Sequence, residues 1–178
     1  MKYHAIAIAM TLSSLLAGAA AAQDNQANRM TASADSSFIT KAAQGGQAEV
    51  ELGTLATQRA SNDKVKEFGQ KMVDDHTQAG NELKSIATSK GVNIPDGIDS
   101  KSRATKTRLS RLHGAAFDRA YMQDMVADHK EDIAEFQREA DSGSDPDVKA
   151  FAAKTLPTLQ QHLEMAQDAL NSVKSSRQ

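Results

Sequence analysis

From about Ser36 onward, apolar residues recur every three or four positions along almost the whole chain. This spacing places one apolar stripe along each helix, and every stripe has to be buried against another element. No segment shows the alternation of polar and apolar residues that marks a half-buried strand. The sequence therefore predicts an all-α fold.

Four stretches of turn-forming residues interrupt this pattern: SND at 61–63, KGVNIPDG at 90–97, LHG at 112–114 and DSGSDPD at 141–147. They delimit four long helices, at about 35–60, 62–90, 115–141 and from Pro146 onward with Asp145 as N-cap, and a short amphipathic helix within 98–112. Helices of this length bury their stripes by packing side by side. We expect an antiparallel four-helix bundle with a short linking helix between helices two and three.

The apolar stripes define a candidate core. Its members are Phe38, Ala42, Leu52, Leu55, Ala56, Val65, Phe68, Met72, Leu83, Ile86, Phe117, Met122, Val126, Ile133, Phe136, Val148, Phe151, Leu159, Leu163 and Ala166. Gly45, Gly46 and Gly53 lie inside helix one, where each costs about 1 kcal/mol relative to alanine. They indicate either close approach of a neighbouring helix or a local break at Gly45 and Gly46.

The N-terminal residues have the form of a secretory signal peptide, with one lysine, an apolar run and an alanine-rich end. We predict a signal peptide at 1–22, a flexible segment at 23–35, one helical domain at 36–174 and a disordered tail at 175–178. Polar residues interrupt the apolar run, which favours a removed signal over a membrane anchor. The expected location is the periplasm or the exterior, with no membrane-spanning segment in the mature chain.

Composition removes several classes of function. Cysteine is absent, which excludes disulfides, zinc–thiolate sites, cysteine nucleophiles and lipid-bearing cysteines. A net charge of −2 does not suit a nucleic-acid-binding protein. The sequence also lacks a phosphate-binding glycine loop and the serine motifs of hydrolases. No catalytic residue is predicted, and a non-enzymatic protein is favoured.

The pattern Met-Val-x-Asp-His occurs twice, at 72–76 and at 125–129. Because successive helical residues are about 100° apart, the aspartate and the histidine of each copy cannot both face the core. His76 and His129 continue the apolar stripes of their helices. We therefore predict inward imidazoles, with Asp75 and Asp128 at the edge as their outer partners.

A second repeat indicates that the bundle contains two copies of a helical pair. VKEFGQK at 65–71 matches VKAFAAK at 148–154, and alignment of Ala60 with Ala140 adds the first helix of each pair. This register places Glu49 opposite His129, with His76 and His162 at similar depth. The four side chains are predicted to converge in the middle of the bundle.

Three interpretations of this cluster remain open. Glu49, His76, His129 and His162 could bind one transition-metal ion such as zinc, copper or iron. Met72, Met125 and Met165 lie one helical turn from the imidazoles, and thioether with imidazole ligands would select Cu(I). Alternatively, the polar groups could form a buried hydrogen-bond and salt-bridge network that fixes helix register.

The linking segment carries a separate basic cluster without acidic neighbours in sequence, formed by Lys101, Arg103, Lys106, Arg108 and Arg111. Such a cluster is typical of a solvated helix face. It could also contact anionic lipid headgroups or a phosphate.

The motifs AAQGGQAEVELG, MVDDHT, GAAFDRAYMQDMVADHKEDIAEF and DPDVKAFAAKTLPTLQQHLEMA resemble the domain-of-unknown-function 4142 family of secreted bacterial proteins, often labelled outer-membrane proteins. The resemblance implies a ferritin-like fold and leaves the activity open. The Glu-x-x-His motif of di-iron bundles is absent, because Val73, Val126 and Leu159 precede the three histidines by three positions. We expect a non-enzymatic envelope or stress-related protein whose core His/Glu cluster is a candidate metal site; the alternative is a metal-dependent oxidoreductase.

Overall fold

The computed structural model describes residues 14–175, with side chains from residue 34 onward, and the rest of the predicted signal peptide and tail lies outside this range. The described chain forms five helices and no strand. They are α1 (Ser14–Arg59), α2 (Asp63–Lys90), α3 (Ser100–Leu109), α4 (Gly114–Ser142) and α5 (Pro146–Ser175). The all-α prediction is confirmed.

Helix α1 begins earlier than the sequence pattern predicted. Its backbone is helical from Ser14, and so through residues 23–35, which we predicted as a flexible segment. Alanine has the highest helix propensity of all residues, and the alanine-rich stretch before Gln23 favours such an extension. Cleavage of the chain after Ala22 stays a prediction.

The helix ends fall in the turn-forming stretches predicted from the sequence, and capping residues fix them. The Asn62 side chain accepts a hydrogen bond from the Lys64 amide at 2.9 Å at the start of α2. Asp145 accepts hydrogen bonds from the amides of Asp147 and Val148 at the start of α5. Helix α2 ends at Gly91, whose φ of 66° is the left-handed conformation that glycine adopts without strain.

The bundle consists of two tightly packed helical pairs. Helix α1 packs against α2, and α4 packs against α5, with smaller interfaces between α1 and α4 and between α2 and α5. Helix α4 starts where α1 ends, so the segment 91–113 has to run back along the bundle. It contains α3, which contacts both α1 and α4.

Two buried aspartates join the pairs at opposite ends of the bundle. Asp118 of α4 accepts hydrogen bonds from the amides of Ser61 and Asn62, both at 3.0 Å, in the turn before α2. Asp35 of α1 accepts them from the amides of Ser144 and Asp145, at 3.1 and 2.8 Å, in the turn before α5. These contacts hold the α1–α2 and α4–α5 turns in place.

The residues of these two contacts correspond at a constant spacing of 83 positions: Asp118 follows Asp35, Ser144 follows Ser61, and Asp145 follows Asn62. VKAFAAK follows VKEFGQK by the same 83 positions. This correspondence supports the internal duplication. It corrects our alignment of Ala60 with Ala140, because the capping contacts pair Ala60 with Gly143. A slip of three residues is close to one helical turn, so the apolar stripe alone did not reveal it.

The core forms two apolar clusters. One contains Phe68, Met72, Tyr121 and Met125, and the other contains Phe38, Leu83, Phe136, Phe151 and Leu159. Of the candidate core, Ala42, Ile86, Val126, Ile133 and Leu163 are only partly buried. In sequence, the inward histidines of α2, α4 and α5 fall between members of the two clusters. The polar side chains therefore form a layer between two apolar halves.

Close helix approach explains one of the three glycines of helix one. A Cβ atom at Gly53 would lie 2.5 Å from the carbonyl oxygen of Gly69, so only glycine allows α1 and α2 to approach this closely. The predicted alternative, a break at Gly45 and Gly46, is not observed, since α1 is continuous there. Pro157 likewise lies within the continuous helix α5.

Candidate metal centre

Three imidazoles meet in the polar layer. His76, His129 and His162 come from α2, α4 and α5 and are 8%, 0% and 0% exposed. Their ring centroids are 5.4 to 6.0 Å apart. One nitrogen of each ring lies within 4.8 Å of the other two. The three histidines therefore converge in the core, as the sequence pattern predicted.

The outward nitrogen of two rings has a defined partner. Nδ1 of His129 lies 3.0 Å from the Met125 carbonyl oxygen, and Nε2 of His162 lies 2.8 Å from Oδ2 of Asp75. Because both partners accept, both nitrogens donate a proton. The other nitrogen of each neutral ring then carries a lone pair.

Those remaining nitrogens have no hydrogen-bond partner within the described chain. Nε2 of His129, Nδ1 of His162 and Nε2 of His76 are all buried and unpaired. An unpaired buried polar atom costs about 1–3 kcal/mol. Three such atoms in one layer need a common explanation.

Asp75 lies at the edge of its helix stripe, as predicted, but it contacts the histidine of a neighbouring helix. Its carboxylate accepts from His162 and also from Lys71, whose Nζ is 2.8 Å from Oδ2. Burial alone would raise the pKa of Asp75, but the hydrogen bonds from Lys71 and His162 lower it overall. Asp75 therefore stays ionised and orients the His162 ring.

The imidazoles are neutral at physiological pH. Burial lowers the pKa of His76 to about 3 and that of His129 to about 4. Burial also lowers the pKa of His162, although Asp75 opposes the shift. Neutral rings can each offer a lone pair to a metal ion.

Glu49 lies beside the imidazoles, but its carboxylate clusters with two other carboxylates instead of with the three histidines. Its Oε1 is 4.0 Å from Nδ1 of His129, and the carboxylates of Glu49, Asp128 and Asp132 lie within 4.8 Å of one another. Burial and the nearby Asp128 raise the pKa of Glu49 well above its usual range. Burial and Asp128 also raise the pKa of Asp132, to about 8.

Sequence reasoning did not single out Asp132. It follows Glu49 by the same 83 positions that relate the capping aspartates, so the duplication makes it the counterpart of Glu49. The 83-residue spacing between VKEFGQK and VKAFAAK, applied to helices one and three, would have identified Asp132.

The methionines near the histidines lie in apolar surroundings. Met72 and Met125 are buried in one apolar cluster, and Met165 packs against it. The Cu(I) interpretation stays a hypothesis. His113 lies apart from the centre, where its ring contacts the Arg59 guanidinium.

Three basic residues of α3 form ion pairs with acidic residues that are distant in sequence. Lys106 pairs with Glu51 at 2.7 Å, Lys101 pairs with Glu131 at 3.1 Å, and Arg108 pairs with Asp124. The acids belong to α1 and α4. These ion pairs hold α3 over the side of the bundle that carries the Glu49 group.

The family described as domain of unknown function (DUF4142) matches residues 19–169. The chain belongs to this family. No curated protein matches this DUF4142 chain. Among the residues described, none of the helices combines the length and the apolar character needed to cross a membrane.

A solved structure is similar to the DUF4142 fold. The crystal structure of a DUF305 fragment from Deinococcus radiodurans superposes with a TM-score of 0.70 at 15% identity, over 78% of this chain and 96% of that one. At this identity the likeness concerns the fold alone. The predicted ferritin-like helical fold is confirmed.

Proposed function

We propose that this DUF4142 domain binds one transition-metal ion through His76, His129 and His162, as a non-enzymatic protein of the bacterial envelope. The observation that carries the proposal is that three buried imidazoles converge and that each has one buried ring nitrogen without a hydrogen-bond partner among the described residues. A metal ion would accept all three lone pairs at once.

A purely structural network accounts less well for the same atoms. Such a network would pair the inner nitrogens, because each unpaired one costs about 1–3 kcal/mol. Instead, the pairing is found on the outer side of His129 and His162, with a carbonyl and a carboxylate. Metal-bound histidines generally donate their second ring N–H to such groups.

The ligand chemistry favours zinc, copper or iron. Neutral imidazole suits all three metals. Metal–nitrogen bonds of about 2.0–2.1 Å in a tetrahedral site require ring nitrogens about 3.4 Å apart. The converging nitrogens lie within 4.8 Å of one another, so metal binding would draw the three rings closer together. The nearby Glu49 carboxylate adds negative charge beside His129.

A metal-dependent oxidoreductase is the second candidate. Three protein ligands leave a coordination position open, as catalytic metal sites do. A cavity of about 30 Å³ is lined by His76 and by three glycines, Gly45, Gly46 and Gly80. A cavity of this size has room for about one water-sized ligand beside His76.

Metal content per chain tests the proposal. The untagged protein would be purified without added metal, alongside His162→Ala and the exposed-turn control His113→Ala. We expect about one transition-metal ion per chain in the wild type and the control, and a large loss in His162→Ala. Substoichiometric content of every transition metal in the wild type would overturn the proposal.

We also propose that the protein is exported and matures by cleavage after Ala22. The support is the sequence of residues 1–22, with its lysine, apolar run and alanine-rich end. Mass spectrometry of the periplasmic fraction should find a chain that begins at Gln23. A chain that retains residues 1–22 in the cytoplasm would refute export.

A further inference from the structure

Three carboxylates lie close together beside the imidazoles, and oxygen ligands of this kind are typical of a cation site. We propose that Glu49, Asp128 and Asp132 bind a divalent cation that prefers oxygen ligands, such as Mn²⁺ or Ca²⁺. This site is separate from the three-histidine centre and does not depend on it. Carboxylate and water ligands suit these cations, whereas imidazole suits zinc, copper and iron.

Glu49 supplies the decisive observation. Its side chain is 1% exposed, and neither carboxylate oxygen has a hydrogen-bond donor among the described residues. Nδ1 of His129 lies 4.0 Å from Oε1, too far for a hydrogen bond, and is paired with the Met125 carbonyl. The other polar neighbours are Asp128 and Asp132, which are acceptors themselves when ionised. A fully buried carboxylate that points at two others needs a cation or a shared proton.

No basic side chain takes the place of that cation. Within residues 34–175, neither Lys nor Arg lies within 4.0 Å of the three carboxylates. Two lysines of α3 pair with other acids, since Lys101 contacts Glu131 and Lys106 contacts Glu51. Lys101 lines the same cavity as Asp128 and Asp132, but its ion pair is with Glu131, so the three carboxylates have no basic side chain as a direct partner.

A cavity connects the group to solvent. It has a volume of about 280 Å³ and lies between α1, α3 and α4. Asp128 and Asp132 line it, and Asp99, Asp124 and Glu131 add further acidic side chains to its wall. A hydrated divalent cation can enter this space and keep several water ligands, as Mg²⁺ and Ca²⁺ do in proteins.

The duplication places the ligands on both halves of the bundle. Glu49 on α1 and Asp132 on α4 are counterparts at a spacing of 83 residues, and the α1–α4 interface lies between the two helical pairs. A cation held between them would link the two halves of the fold. Asp128, one helical turn before Asp132, adds a third ligand on the same face of α4.

Manganese binding followed by electron paramagnetic resonance tests this site directly. Chelator-treated wild type would be titrated with Mn²⁺ beside Asp132→Asn, and beside Asp168→Asn as a matched control on the exposed face of α5. A His76→Ala/His162→Ala double variant removes the imidazole centre. Circular dichroism of each variant would establish that the helices are retained.

We expect one tightly bound Mn²⁺ per chain in the wild type, the control and the histidine double variant. Loss of a carboxylate ligand in Asp132→Asn should raise the Kd at least about tenfold. Equal Mn²⁺ affinity in Asp132→Asn and Asp168→Asn, or no binding by the wild type, would overturn the proposal. Loss of Mn²⁺ in the histidine variant would assign the ion to the imidazole centre and overturn it as well.

Discussion

Nε2 of His162 on α5 lies 2.8 Å from Oδ2 of Asp75 on α2, and Lys71 contacts the same carboxylate. This contact fixes the His162 ring beside His76 and His129 and leaves its Nδ1 buried without a hydrogen-bond partner among the described residues. The Met125 carbonyl does the same for His129 from within α4. The inward nitrogens are thus oriented before any ligand arrives.

Replacing the orienting carboxylate should weaken metal binding. In Asp75→Asn the side chain keeps its size but loses the charge that favours the His162 N–H donor. Outer partners of metal-bound histidines are typically worth about 10- to 100-fold in affinity, and we expect a loss in that range by competition with a chromophoric chelator. Asp74→Asn, one residue away and exposed, serves as control. Equal affinities of the two variants would contradict the assigned role of Asp75.

Two glycine substitutions in adjacent helices should change stability in opposite directions. Gly53→Ala would place Cβ 2.5 Å from the Gly69 carbonyl oxygen, so the metal-free protein should lose about 1–3 kcal/mol through overpacking. Gly80→Ala meets no atom within 4 Å and should gain up to about 1 kcal/mol from helix propensity. Urea unfolding measures both. Similar values for the two variants would disprove the close α1–α2 contact.

The buried cap at Asp118 should contribute strongly to stability. Asp118 is 1% exposed, and Asp118→Ala would leave the amides of Ser61 and Asn62 without their acceptor. We expect a loss of about 3 kcal/mol in the free energy of unfolding. Asp168→Ala on the exposed face of α5 should change it by less than about 0.5 kcal/mol. An equally small effect at Asp118 would show that the turn does not need this cap.

Glu139 should give the stability of the metal-free protein a distinct pH dependence. Burial and the adjacent Asp35 raise the pKa of Glu139 from 4.5 to about 7. The folded state therefore binds the proton more tightly, so the favourable contribution is complete below pH 4.5 and is lost as the pH rises through 7.

The stability difference between wild type and Glu139→Gln isolates this contribution from other titrating groups. Relative to the variant, the wild type should become less stable between pH 4.5 and 7. Thermal unfolding at several pH values measures the difference. A difference that is constant with pH would mean that Glu139 titrates normally in the folded chain.

The local features of the fold could be read from the sequence. The turn-forming stretches that contain Asn62, Gly91 and Asp145 marked helix ends, because capping depends on the few residues next to a helix end. The inward histidines were found because each continues an apolar stripe. Such signals need no knowledge of the neighbouring helix.

What the sequence did not reveal depends on contacts between helices. The Ala60–Ala140 alignment was wrong by three residues, because a shift of about one turn preserves the apolar stripe. Asp35, Asp118 and Asp132 gain their roles only through groups on other helices or in distant turns. The partners of the α3 lysines are also remote in sequence.

Anomalous scattering from a crystal of the metal-loaded protein tests the central claim most directly. Data collected at the absorption edge of the bound metal would locate the ion. We predict one strong peak in the core at about 2.0–2.1 Å from a ring nitrogen of each of His76, His129 and His162, using zinc as the example. The absence of a core peak, or a peak only at the exposed His113, would contradict the account.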